Sequence, residues 1–351
     1  MRSINGLQSY KKKMMHNEHG GDLSELMHRH GHAPEDILDL STGIAPRSWP
    51  IPSDLCDVAA WQPLPQARDE EALHQAARVS LGLDAQAAIC LAPGSQILIN
   101  LVAALRPAGR VLIPEPAYAE HAAAWSRCGH NIGYYDAGTC PDATSGCVVA
   151  VQPGNPLGDH LPPDALAALA GRLAGRGGML VVDEAFADLM PGAGLAPYCG
   201  AEGLIVLRSF GKFYGLAGLR LGLALGHPED MMRLTEMMGP WAVSTPALQI
   251  GAAALADIGF QEQQRQWIGR QHEALVAVLN RHGITRIGGT PLYVLAEVDD
   301  AASLQNHLGK AAIWTRVFSY HKGWIRFGLA PDAAGLARLD AALAGWPGHA
   351  D

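Results

Sequence analysis

Met179-Leu180-Val181-Val182-Asp183-Glu184 is the stretch whose reading decides the fold. Four apolar residues, two of them β-branched, run without a polar break into two carboxylates. A strand that is apolar throughout has both faces covered, as a central strand of a parallel sheet does. The same kind of run recurs on either side. Cys147–Val151 precedes it and Leu204–Leu207 follows it, and the Ala/Leu-rich stretch Pro162–Ala174 has helical spacing. Further out lie Ala88–Leu91, Arg110–Ile113, Asn131–Tyr135 and Leu221–Leu225, with helical patterns at Gln96–Leu105 and Ala119–Cys128. Strands alternating with helices predict an α/β fold built on a mostly parallel seven-stranded sheet between helices. After Pro228 the pattern changes to long helical stretches at Pro228–Met238, Pro246–Ala256 and Phe260–His282. Strand candidates Leu292–Val298 and Trp324–Leu329 and a helix at Ala333–Ala344 follow, predicting a smaller α/β domain completed by the N-terminal segment. The expected division is a flexible leader over 1–18, the N-terminal part of the small domain over 19–45, the large domain over 46–245 and the C-terminal part of the small domain over 246–351.

The 351 residues, 48% of them hydrophobic, suffice for a substantial core. A net charge of -8 argues against a nucleic-acid partner. No apolar run approaches the roughly 18–20 residues that span a bilayer. Lys11-Lys12-Lys13 is not followed by an apolar segment, so it does not read as a secretory signal. Six cysteines without a C-x-x-C pair fit a reducing, cytoplasmic setting. His28, His30 and His32 alternate in a way that brings three imidazoles to one face of a strand. The preceding Leu23-Ser24-Glu25-Leu26-Met27 reads instead as a helix capped by Gly31, on which i and i+2 residues diverge. A solvated helix end is therefore the expectation, with no metal.

Ligands of open α/β sheets bind beyond the carboxyl ends of the strands. There the chain carries Gly94-Ser95-Gln96, Tyr118, Asn155, Asp183 and Ser209-Phe210-Gly211-Lys212. A lysine that forms an imine must be positioned and partly desolvated, so that its amine is neutral long enough to attack. Lys212 sits in a Ser/Gly turn with an apolar, Gly-rich run leading to Arg220; a surface loop lysine is the alternative. Asp183 at a buried strand end is costly unless it meets a cation or caps a helix. Gly94-Ser95-Gln96, between a strand and a helix, turns backbone N–H groups toward an anion. With Ser209 and Arg220 it suits a phosphate monoester. Neither G-x-x-x-x-G-K-[ST] nor a G-x-G-x-x-G after the first strand is present, which weighs against a P-loop and a dinucleotide fingerprint. Asn155-Pro156-Leu157-Gly158 reads as a turn or as an amide donor to a phenolate oxygen. Tyr118 reads as a core aromatic or as a ring-stacking one.

In this order, G-S, an aromatic, N-P-x-G, D-E-A-F, S-x-x-K and R-L-G resemble the fold-type-I pyridoxal 5'-phosphate (PLP) enzymes, the aspartate-aminotransferase superfamily. The motifs cover residues 90–225, and the similarity extends from His19 to Gly345. The resemblance implies that Lys212 forms the imine with the cofactor, Asp183 pairs with the ring nitrogen and Asn155 meets the ring oxygen. It also implies that Ser209 and Arg220 hold the phosphate, beside Gly94, Ser95 and Gln96, and that Tyr118 and Phe186 line the ring. A homodimer with active sites near the interface is implied as well.

Within the superfamily the chain looks most like histidinol-phosphate aminotransferases and, more closely, cobalamin-pathway L-threonine-O-3-phosphate decarboxylases. His19-Gly20-Gly21-Asp22 resembles an H-G-G segment of that group. Leu38–Pro46, with Gly43, resembles its loop over the substrate. Arg316 and Arg326, on neighbouring strand candidates, suit a phosphorylated amino-acid substrate, because planar guanidinium groups bind carboxylate and phosphate bidentately. The implied substrate residues are thus His19, Gly43, Asn155, Arg316 and Arg326. The implied reaction is decarboxylation, with an aminotransferase acting on histidinol phosphate or a related substrate as the alternative. Two departures stand out. Phe186 occupies a position where many relatives have tyrosine, and Leu64-Pro65-Gln66 stands where relatives have Y-P-D.

Overall fold

In this computed structural model, which describes residues 20–144 and 146–346, thirteen strands follow one another along the chain. They are β1 (Leu38–Asp39), β2 (Ala88–Ala92), β3 (Arg110–Glu115), β4 (Asn131–Asp136), β5 (Cys147–Val151), β6 (Met179–Asp183), β7 (Leu204–Ser209), β8 (Gly222–Gly226), β9 (Thr285–Thr290), β10 (Tyr293–Glu297), β11 (Ile313–Trp314), β12 (Arg316–Phe318) and β13 (His321–Gly328). Residues 44–269 and 288–291 form one compact unit, and residues 20–43, 270–287 and 292–346 belong to a second.

The larger unit is organised by a seven-stranded sheet in the order β2-β8-β7-β6-β5-β3-β4. The pairs β3–β4, β3–β5, β5–β6 and β6–β7 are parallel. Only β8 runs the other way, antiparallel to both β2 and β7. Connection length explains this. Helices Glu120–Arg127 and Pro163–Ala174 carry the chain back between β3 and β4 and between β5 and β6. Residues 210–221 link β7 to β8 without an α-helix, and a parallel pair requires a longer crossover.

Every residue of β5, β6 and β8 is buried, as expected of strands covered on both faces. Val181, Ile205, Leu207 and Ala224 share one core with Leu98, Ile99, Val102 and Trp125. The edge strand β4 is half-exposed to exposed and carries Asn131 and Asp136. The helix Ala67–Leu81 buries Asp69, Leu73 and Ala77. It packs on Thr245–Ala256, whose seven buried residues place it in the larger unit. The division by packing therefore falls at residue 269 rather than at the expected 245. Residues 288–291 also join the larger unit, where Gly289 N donates to Leu157 O at 2.7 Å. A Cβ on Gly158 would lie 2.0 Å from Gly289 O, so this close approach requires glycine.

The smaller unit has a four-stranded sheet, β12-β13-β10-β9. The N-terminal segment does not complete it as expected. Instead β1 pairs in parallel with β11 in a separate two-stranded sheet. The helix Ser24–His30 ends at a left-handed Gly31, and His32 Nε2 meets Gly309 O at 2.9 Å. His32 is therefore engaged by backbone. No helix of the described residues is long and apolar enough to cross a membrane.

Candidate active site

The strand register brings the motif residues to one edge of the large sheet. Gly222 stands opposite both Ala92 of β2 and Ser209 of β7, so the ends of β2 and β7 and the start of β8 lie side by side. Gly94-Ser95-Gln96, Ser209–Lys212 and Arg220 follow or precede those points directly. Asp183 closes β6, opposite Val151 of β5 and Leu207 of β7. Asn155 and Tyr118 lie just past β5 and β3.

An anion cradle forms where β2, β7 and β8 meet. Gly94 immediately precedes the helix Ser95–Val102, whose first N–H groups lack intrahelical acceptors. A Cβ on Gly94 would lie 2.5 Å from Arg220 Nη2, so only glycine lets the guanidinium approach this turn. Arg220 itself adopts a left-handed backbone (φ 54°), which costs an L-residue on the order of 1–2 kcal/mol. Its Nη1 donates to Ala217 O at 3.0 Å, aiming the head group. Ser209 Oγ accepts from Gly211 N at 3.3 Å. Gln96 contributes differently from a direct anion ligand through its side chain: its Oε1 accepts from Tyr118 OH at 2.9 Å.

Asp183 is 5% exposed. Its Oδ1 accepts from Ala185 N at 3.0 Å and its Oδ2 meets His121 Nε2 at 2.9 Å. His121, fully buried, is the side chain that Oδ2 meets. A buried carboxylate without a lysine or arginine partner has capacity for a further cation. Sequence reasoning missed His121. Its signal was spacing: it stands three residues after Tyr118, whose ring it meets edge-on at 6.2 Å.

Next to Asp183 and Ser209, on the neighbouring positions, a second missed group ties the strand ends together. Arg208 Nη1 donates to Glu184 Oε2 at 2.8 Å, and Nη2 pairs with Asp188. Burial pushes the Glu184 carboxyl up while Arg208 opposes it; Arg208 stays protonated between its two carboxylates. Lys212 is half-buried, and its Nζ lies 5.6 Å from the ring centre of buried Phe186.

These donors fit a group bearing a phosphate, a protonated ring nitrogen and an aldehyde. The turn at Gly94 with Ser209 and Arg220 would take the phosphate, Asp183 would face the cation and Lys212 would offer the amine.

The remaining expected residues belong to the smaller unit. Arg316 and Arg326 are directly opposite one another in the β12–β13 pair. Arg326 is 8% exposed, donates from Nη2 to Ser41 O at 2.6 Å and stands 4.9 Å above the Tyr293 ring. Burial lowers the Arg326 pKa, yet a guanidinium remains charged. Ser41 Oγ accepts from Gly21 N at 2.9 Å and donates to Asp39 Oδ1, fixing the loop that contains buried Gly43. His19 lies outside the described residues, as does the leader.

The chain is similar to known proteins in both sequence and fold. The model of the family "Aminotransferase class I and II" matches residues 64–343. A threonine-phosphate decarboxylase of Sinorhizobium sp is 42% identical over 328 residues, 93% of this chain and 97% of the relative. One of Pseudomonas aeruginosa is 42% identical over 340 residues, 95% of this chain and 99% of the relative. Among solved structures, the histidinol-phosphate aminotransferase of Sinorhizobium meliloti in complex with pyridoxal-5'-phosphate matches with a TM-score of 0.78 at 20% identity, covering 92% of this chain and 93% of that one. That likeness shows the shared fold. From the match over residues 64–343 and the relatives at 42% identity, the chain belongs to the class I and II aminotransferase family.

Proposed function

We propose that the chain is a PLP enzyme that decarboxylates L-threonine O-3-phosphate to (R)-1-aminopropan-2-yl phosphate in cobalamin biosynthesis. The observation that carries this reading is the 42% identity to threonine-phosphate decarboxylases over nearly the whole chain. When bound, PLP supplies an electron sink for the bond broken at the substrate Cα. Lys212 provides the amine that holds its aldehyde carbon. Asp183, oriented by His121, keeps a positive charge on the ring nitrogen. Asn155 donates its amide N–H to the ring oxygen, and Tyr118 and Phe186 line the ring. The N–H groups of Gly94, Ser95 and Gln96 hold the phosphate with Ser209 and Arg220. Lys212 Nζ would be the group that delivers a proton to the substrate Cα once carbon dioxide has left.

Arg316 and Arg326, with Gly43, Asn155 and His19, are proposed to hold the substrate. Like charges directly opposite one another in a sheet destabilise it. A substrate that brings both a carboxylate and a phosphate relieves that repulsion. Arg316→Met is expected to raise KM for threonine phosphate by about 10–100-fold, the loss of a charge-assisted hydrogen bond, with a small change in kcat. Steady-state carbon dioxide release checks it, and an unchanged KM removes Arg316 from the site.

Phe186 has no hydroxyl to offer the ring oxygen. Phe186→Tyr is expected to move the pH midpoint of the Lys212–cofactor absorbance band down by about one unit, because a donor there favours the anionic oxygen. A pH titration of the visible spectrum tests this.

Incubation with threonine phosphate, with and without 2-oxoglutarate, tests the reaction itself. Carbon dioxide release without an oxo acid is expected. Amino transfer alone would favour the second reading, an aminotransferase acting on histidinol phosphate, in keeping with the aminotransferase family model. The proposal includes a cytoplasmic homodimer: Ile51, Val58, Trp61 and Leu64 are all exposed between residues 51 and 64. Sedimentation of the holoenzyme checks the dimer, and a monomer would exclude it.

A further inference from the structure

Three consecutive carbonyls of the lysine loop are each held by a donor from elsewhere in the larger unit. Lys212 O accepts from Ala45 N at 2.9 Å, Phe213 O from Gln264 Nε2 at 3.0 Å and Tyr214 O from Trp49 N at 2.8 Å. Two of these donors are backbone amides of one segment. The middle one is a side chain of the helix Ile258–Arg281, and it is 0% exposed.

The same Gln264 Nε2 donates to Arg47 O at 2.7 Å. Both hydrogens of the amide are therefore used, one on each side of the paired segments. Gln264 Oε1 is buried without a hydrogen-bond partner. Turning the amide over would set that oxygen against two carbonyls, so the orientation is determined. An unsatisfied buried oxygen is destabilising. An apolar residue of similar size would avoid that cost, but it would leave Arg47 O and Phe213 O without this donor.

The surroundings leave little slack. A Cβ on Gly215 would lie 2.8 Å from both Ala45 O and Ser48 Cα. Trp49 Nε1 donates to Asp257 Oδ2 at 3.1 Å, and the Arg265 guanidinium stands 5.3 Å over the Phe213 ring. The N-terminal part of this helix thus backs the residue that follows Lys212.

We propose that Gln264 is a positioning residue for Lys212. By holding the Phe213 carbonyl and the Arg47 carbonyl together, it fixes the main chain from which the lysine side chain extends. Nζ inherits any displacement of that main chain, and a misplacement of about 1 Å can cost about 10²-fold in rate. The inference rests on the reading of Lys212 as the cofactor-bearing lysine.

The test compares holoenzymes of wild type, Gln264→Met and Gln261→Met. Gln261 is a second buried amide, one turn earlier on the same helix, whose Nε2 donates to Leu255 O at 3.0 Å and Ser80 Oγ at 3.3 Å. It is a stability control whose Nε2 reaches neither Phe213 O nor Arg47 O, although its Oε1 accepts from Arg265 Nη2 at 3.5 Å. Two readouts are taken: the rate at which the resting Lys212–cofactor band returns after a single turnover of threonine phosphate, and the separate effects on kcat and KM. Gln264→Met is expected to slow the return of the band and kcat by about tenfold, with KM within about twofold of wild type. Gln261→Met is expected to lower the melting temperature while leaving both readouts unchanged. Gln264→Asn keeps the amide on a shorter stem and serves as the milder variant should the methionine form not fold, with a smaller slowing expected. Equal behaviour of the Gln264 and Gln261 variants, or a wild-type band return in a folded Gln264 variant, overturns the proposal. A wild type without any visible band overturns the reading of Lys212 instead.

Discussion

Lys212→Ala, loaded with PLP, shows no lysine-bound visible band and decarboxylates threonine phosphate on the order of 10⁴-fold more slowly than wild type. The expectation combines two losses. The amine that holds the cofactor aldehyde is gone, and so is the group that delivers a proton to Cα. Lys212→Arg separates these roles from mere charge. A guanidinium keeps the positive charge but does not deprotonate, so it can form no imine. Both variants should therefore be equally inactive and equally colourless at the resting wavelength. Lys212 lies in a half-buried turn, so neither substitution creates a core cavity and folding should persist. Activity in the arginine variant within tenfold of wild type would refute the assignment.

Asp183→Asn is expected to lower kcat by roughly 10²–10⁴-fold, which corresponds to about 3–5 kcal/mol for breaking a buried ion pair. The substitution keeps the volume and leaves an oxygen to accept from Ala185 N, now at 3.0 Å. What it removes is the negative charge beside the site of the ring nitrogen. The contact between Oδ2 and His121 Nε2 at 2.9 Å makes the carboxylate, rather than the bare cavity, the element that matters. PLP should still bind, because Gly94, Ser95, Ser209 and Arg220, the residues proposed to hold its phosphate, are untouched. Retained PLP absorbance with collapsed turnover is the expected pair of results. A variant with normal kcat would show that the charge of Asp183 is dispensable.

The large sheet was legible because burial on both faces leaves its mark in each strand separately. The expected strands from Ala88 to Leu225 each overlap an observed strand, with ends shifted by at most two residues. The motif residues were legible for a related reason. Polar side chains directly after apolar strands stand out, and the parallel direction of β3, β5, β6 and β7 puts their carboxyl ends on one side of the sheet.

Other features could not be read locally. The pairing of β1 with β11 joins residues near opposite ends of the chain, and nothing in Leu38-Asp39 names its partner. The place of Thr245–Ala256 in the larger unit follows from its apolar surface meeting Ala67–Leu81, a helix whose own sequence is too polar to announce a partner.

The sequence by itself determined the fold class and placed Lys212, Asp183 and the Gly94 turn at strand ends, because each lies in a short run whose polarity pattern reports its own burial. Only the tertiary structure decided what those residues touch. It set His121 against Asp183 across 62 residues, Arg208 between Glu184 and Asp188, Arg316 opposite Arg326, and Gln264 behind Phe213. Such pairings depend on strand order and register, which bring distant residues together, and a local pattern of apolar and polar residues contains no record of that order.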